Sequence, residues 1–156
     1  MKQLLLIAAA FICGFTTMAQ QTADNVAKVN TEKYDFGKIK QGVPVSTYFE
    51  ITNVTDKPLV IENAFGSCGC TTPEVPKEPI APGATTKLKV NYNAAAMNHF
   101  EKTVSIKFAG ITEPKVVRIT GEVLDEKAYS DYVKANGSKK ATPSKTTTTT
   151  KTTKTS

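Results

Sequence analysis

The sequence predicts an all-β fold, an antiparallel β-sandwich of about seven strands. Three observations predict it. Apolar and polar side chains alternate with a period of two through successive stretches of the middle of the chain. Turn-forming residues punctuate those stretches about every ten residues. No segment between residues 24 and 124 carries the spacing of a long amphipathic helix.

The elements follow in chain order. Val26–Asn30 is a first short apolar run, and Tyr34–Ile39 is a candidate second strand before the Gln41-Gly42 break. Val45, Thr47, Phe49 and Ile51 then alternate with Ser46, Tyr48, Glu50 and Thr52. Asn53-Val54-Thr55-Asp56-Lys57-Pro58 supplies a turn, and Leu59–Ile61 a further strand. Ala81-Pro82-Gly83-Ala84 places Pro before Gly, as a type II turn requires. Leu88, Val90 and Tyr92 alternate with Lys87, Lys89 and Asn91. Val104, Ile106 and Phe108 alternate with Thr103, Ser105 and Lys107, ending at Ala109-Gly110. Val117, Ile119, Gly121 and Val123 share the last face, opposite Arg118, Thr120 and Glu122. Phe36, Phe49 and Phe108 are expected in the core. Asp125–Val133 is a candidate short helix.

The flanks have another character. Residues 1–19 begin with Lys2, continue through the apolar run Leu4–Ile12 and exit through small residues to Ala19. This is the pattern of a secretory signal peptide, with cleavage expected before Gln20 and Cys13 discarded with it. The run is too short to span a bilayer. Residues 125–156 are expected to form a short linker and a disordered tail, rich in Thr and Lys from about Lys134. Lysines spaced along such a chain attract an anionic surface weakly and in a salt-dependent way. The protein is therefore expected to be exported, to the periplasm or beyond.

Charge narrows the function classes. The chain holds 20 Lys and Arg against 14 Asp and Glu. Lys2 and the six lysines from Lys134 onward account for the excess, and the middle holds 13 basic residues against 14 acids. Nothing there supplies the clustered positive face of a nucleic-acid binder. His99 is the one histidine of the chain, so mechanisms needing a histidine pair are excluded. Glu74, Glu78 and Glu101 have no evident catalytic partner and are expected to be solvated. No nucleophile-elbow, phosphate-loop or dinucleotide pattern occurs. The chain is expected to be non-enzymatic and to need no cofactor.

Several runs together resemble a known family. They are Tyr34–Gly42, Tyr48–Asn53, Lys57–Ile61, Ser67-Cys68-Gly69-Cys70-Thr71, Ile80–Gly83, Val90–Asn93, Phe100–Val104 and Ile119–Val123. In this order and spacing the chain resembles the bacterial secreted family known as domain of unknown function 1573. The Ser-Cys-Gly-Cys-Thr run is the most specific element. The Phe-Gly, the Asn before a turn and the closing Gly-x-Val are shared with wider immunoglobulin-like relatives, including major sperm protein and the cilia-and-centrosome domains. The resemblance implies an immunoglobulin-like sandwich, export across the inner membrane and no established catalytic activity. The leading expectation is a binding or scaffold domain whose partner is another envelope protein. One departure is local. Met97-Asn98-His99 stands where the family often carries Gly-Pro or similar before Phe.

Cys68 and Cys70 are the cysteines left after signal removal. Two residues apart on an extended chain, their Cα atoms stand about 6.6 Å apart with side chains on one face. A disulfide tolerates up to about 6.8 Å. Three readings stay open. The pair is a small structural bridge, a thiol site for a soft metal such as Cu(I), or a redox pair. The metal reading would add Met97 and His99 as ligands. The redox reading lacks the two-residue spacing and the following helix of thioredoxin-like sites.

Overall fold

The computed structural model describes residues 22–136. The expected signal peptide, Cys13 and the tail beyond Asn136 lie outside the described residues. The described elements are α1 (Ala23–Val26), β1 (Ala27–Val29), β2 (Lys33–Lys40), β3 (Val45–Asn53) and β4 (Ile61–Gly66), then β5 (Thr71–Glu74), β6 (Thr85–Tyr92), β7 (Asn98–Phe108), β8 (Lys115–Leu124) and α2 (Glu126–Asn136).

The strands form two sheets of four, β1-β3-β6-β5 and β2-β8-β7-β4. The immunoglobulin-like sandwich thus has eight strands, not seven. The strand beyond the expected set is β5, whose Thr-Thr-Pro-Glu sequence offers no apolar alternation. Its backbone pairs with β6 even so, because an edge strand tolerates Pro73. A second correction concerns direction. The β2–β8 pair is parallel, whereas the other pairs are antiparallel. Local alternation reports which face a residue takes, not which strand lies beside it.

Other boundaries move for physical reasons. Val26 belongs to α1, which buries Ala23 and Val26 at the entry to the sandwich. Leu59 forms an isolated bridge to Ile80, and the strand expected at Leu59–Ile61 instead runs from Ile61 to Gly66. A helix does follow the last strand and extends to Asn136. It packs along β2 and β8, with Lys38 standing 5.4 Å from the centre of the Tyr132 ring.

The alternating residues fill the space between the sheets. Phe49, Ile51, Leu88, Val90, Val104, Ile106, Phe108, Val117 and Ile119 are fully buried. Each such side chain contributes about 1.5–3 kcal/mol relative to exposure. Phe36 is half-buried at the rim of this core. Tyr92 stacks on Phe100 with ring centres 4.1 Å apart. Phe100 in turn lies over Gly121, where a β-carbon would stand 2.8 Å from its ring and 2.9 Å from the Gly37 carbonyl. Gly121 is therefore required by close packing.

At one end of β6, Asn53 is buried and fully bonded. Its Nδ2 donates to the Lys57 and Ile80 carbonyls at 2.7 and 2.8 Å. Its Oδ1 accepts from the Thr55 N–H at 2.9 Å and the Thr55 hydroxyl at 2.8 Å. One side chain thus joins the turn after β3 to the loop before β6.

Candidate functional site

The cysteine loop lies at the other end of β6. Residues Ser67–Cys70 carry the chain from β4 in one sheet to β5 in the other. The crossing is tight. A β-carbon on Gly66 would stand 2.3 Å from the Thr71 carbonyl oxygen, so only Gly fits there. Ser67 and Thr103 bond reciprocally: the Ser67 N–H donates to the Thr103 carbonyl at 2.9 Å, and the Thr103 N–H to the Ser67 Oγ at 3.2 Å. The Thr71 N–H donates to the Cys68 carbonyl at 3.1 Å, and the Asn93 N–H to the Cys70 carbonyl at 3.1 Å. One end of the loop is therefore tied to β7 in one sheet and the other to Asn93, just after β6 in the other sheet.

Cys68 and Cys70 are joined as a disulfide, with Cα atoms 5.2 Å apart. The chain has tightened from the roughly 6.6 Å of an extended strand. Both cysteines are half-buried and Gly69 is exposed at the tip. Cys70 packs against the core. Beneath them Thr71 is 3% exposed. Its Oγ1 lies 3.6 Å from the Cys68 sulfur and 3.8 Å from the Cys70 sulfur. Bonded sulfurs carry no proton, so the hydroxyl is the donor. Next to Thr71 in register is Tyr92, whose phenol is pushed up by burial.

The other candidate ligands stand elsewhere. His99 is exposed on β7, opposite Glu122, and lines a polar groove of about 340 Å³ with Lys33, Asp35, Lys38 and Glu122. The cysteines do not line that groove. Met97 is exposed on the loop before β7. Among the described residues, no three His, Cys, Asp or Glu side chains converge as a metal site would require. A disulfide also offers no thiolate to a soft metal.

The acids flagged in the sequence take part in surface pairs. Glu74 accepts from Lys89 at 3.0 Å and from Asn91 at 2.7 Å, and these bonds, Lys89 first, hold its carboxyl below the usual range. Glu101 pairs with Arg118 at 3.0 Å. Glu78 is exposed.

A third region was not singled out by sequence reasoning. On the outer face of the β2-containing sheet, Phe65, Ser105 and Val116 stand in one row across β4, β7 and β8. Phe65 is 51% and Val116 40% exposed. Phe65 lies two residues before Ser67, so the row borders the cysteine loop. Neither this row nor the burial of Thr71 leaves a local signal. Each depends on strand register between distant segments.

Comparison with known proteins bears on the fold. None of the curated proteins matches the chain. A protein of unknown function from Porphyromonas gingivalis W83 is similar in structure, with a TM-score of 0.53 and 18% identity over 62% of this chain and 46% of that one. PapD-like domain 7 of human CEP192 gives a TM-score of 0.51 at 6% identity, covering 64% of this chain and 86% of that one. The Vibrio cholerae VesB protease gives a TM-score of 0.51 at 17% identity, but the match covers only 32% of that chain. At such identities the likeness speaks for the sandwich alone. The family described as "Protein of unknown function (DUF1573)" matches residues 27–123, the span from the start of β1 to the penultimate residue of β8, and the chain belongs to that family.

Proposed function

We propose that this chain is an exported, non-enzymatic binding module that docks another cell-envelope protein along the edge of β4. The observation that carries this reading is the difference between its four sheet edges. An open edge presents unpaired N–H and C=O groups, and natural sheets blunt such edges unless they are used. β1 has three residues. β5 has four and contains Pro73. β2 is interrupted by a bulge between Asp35 and Lys38 and is flanked by α2. β4 has six residues, no proline and an exposed Phe65. Its irregularity lies at its start, between Ile61 and Asn63, and Ala64–Gly66 pair regularly.

An extended segment of the partner would add to β4 through main-chain hydrogen bonds. Its apolar side chains would cover Phe65 on the outer face. Such an aromatic at the centre of a contact carries a large share of binding energy. The reading of residues 1–19 as an export signal supports an envelope protein as that partner. The Thr- and Lys-rich tail would add weak attraction to an anionic envelope surface.

A photo-cross-linking residue placed at position 65 or at position 48 tests the proposal in the producing cell. Tyr48 is equally exposed but lies on the outer face of the other sheet. The expected result is one discrete adduct from position 65 and none from position 48, containing an exported protein. Equal labelling from both positions would reject β4 as the docking edge.

A further inference from the structure

We infer that Cys68-Gly69-Cys70 is a thiol–disulfide exchange site for a dithiol partner, and that Thr71 stabilises its reduced form. The inference is independent of the docking edge proposed above. It starts from a buried hydroxyl. Buried polar groups need hydrogen-bond partners. Among the described residues, the partners of the Thr71 hydroxyl are the two bonded sulfurs, at 3.6 and 3.8 Å. Sulfur of this kind is a weak acceptor. A thiolate is a charged acceptor, and charge-assisted hydrogen bonds are about twice as strong as neutral ones. The hydroxyl therefore gains more from the open pair than from the closed bridge.

The surroundings fit this role. Thr71 is held by its pairing with Tyr92 and by its N–H bond to the Cys68 carbonyl, so it need not move when the bridge opens. The bridge closes a ring of only three residues, so loop closure adds little to its persistence. Gly69 is exposed, and of the two half-buried cysteines Cys70 is the one packed against the core.

The reaction is an ordinary exchange. One thiolate of the dithiol attacks the Cys68 sulfur. A sulfur–sulfur bond forms between them, the Cys68–Cys70 bond breaks, and the electron pair leaves on the Cys70 sulfur beside the Thr71 hydroxyl. The second thiolate of the dithiol then attacks its own partner sulfur in the mixed disulfide. The dithiol departs as a disulfide and Cys68 departs as a thiolate. Two electrons pass from the dithiol to the cysteine pair, and the protons lost by the dithiol are available to the new thiols. The reverse sequence oxidises the pair again.

Folded full chain, purified without reductant, would be equilibrated with mixtures of reduced and oxidised dithiothreitol. Free thiols would be capped with a maleimide and counted by intact mass. The wild-type pair is expected to open and close reversibly while circular dichroism stays native. Thr71→Val removes the hydroxyl with little change of shape, and it is expected to shift the equilibrium about tenfold toward the bridge. Thr71→Ser keeps the hydroxyl and is expected to stay close to wild type. The ultraviolet absorbance of thiolate in the reduced protein should titrate at higher pH in the valine variant. A bridge that opens only in denaturant would overturn the site. Equal equilibria for wild type and Thr71→Val, or equal shifts for the serine and valine variants, would overturn the role of Thr71.

Discussion

The two ends of β6 are closed in different ways. At the end where β6 begins, buried Asn53 spends its side chain on four hydrogen bonds and ties two loops together. At the end where β6 finishes, the crossover is held by a three-residue disulfide ring, three backbone bonds, the Ser67 hydroxyl and a Thr71 hydroxyl facing sulfur. The first end uses strong donors and acceptors in full. The second uses a weak acceptor that chemistry can convert into a strong one. One end thus serves stability, and the other holds the pair for which a change of state is proposed.

Substitution at the two ends puts that contrast at risk. Asn53→Ala would leave the Lys57 and Ile80 carbonyls and the Thr55 N–H short of their partner, and is expected to cost about 3 kcal/mol. Urea unfolding monitored by circular dichroism measures it. Replacing Cys68 and Cys70 together by Ser is expected to cost less, about 1.5 kcal/mol, because a three-residue ring constrains the unfolded chain little. A double-serine variant less stable than Asn53→Ala would reverse the comparison.

The smallest effect concerns charge. Lys115, whose side chain is 11% exposed, pairs with Asp24 and Glu32 and so ties the entry segment to β8. Burial pushes its ammonium down, but the two carboxylates outweigh that and hold it above its ordinary 10.5. A lysine raised in the folded state stabilises fully below its unfolded value, and the contribution is lost as pH rises through the folded value. Lys115→Met is expected to cost under about 1 kcal/mol near neutral pH, since both carboxylates face solvent. Thermal unfolding of both proteins should show that gap narrowing as pH climbs beyond 10.5. A gap that stays constant with pH would assign the effect to packing rather than charge.

What was legible in the sequence follows from where each signal resides. β3, β6, β7 and β8 are central strands with one face in the core, so Phe49, Leu88, Val104 and Val117 mark them by simple alternation. β4 and β5 are edges, and Glu62-Asn63-Ala64 and Thr72-Pro73-Glu74 show no such pattern. The parallel pairing of β2 with β8 joins segments some eighty residues apart, as in Tyr34 with Ile119, and no local run encodes it. The same division applies to the site. Cys68 and Cys70 were visible from spacing and residue type. Thr71 sits beside them in sequence, yet its role comes from burial, which depends on Tyr92 standing opposite. His99 and Met97 were plausible by chemistry alone, and strand register sends His99 to a different groove.

The parallel pair also sets a schedule. β2 is the first strand of its sheet to be made, and its neighbour β8 is the last of that sheet. Loop closure over that span must precede any reward from pairing, which makes such contacts slow to form. β8 lies between β2 and β7, so one sheet has no centre until residues 115–124 arrive. A chain interrupted before Lys115 would expose two strands with nothing between them. Completion of that sheet is thus an event of its last-made strand, and a partly threaded chain stays open until β8 is free.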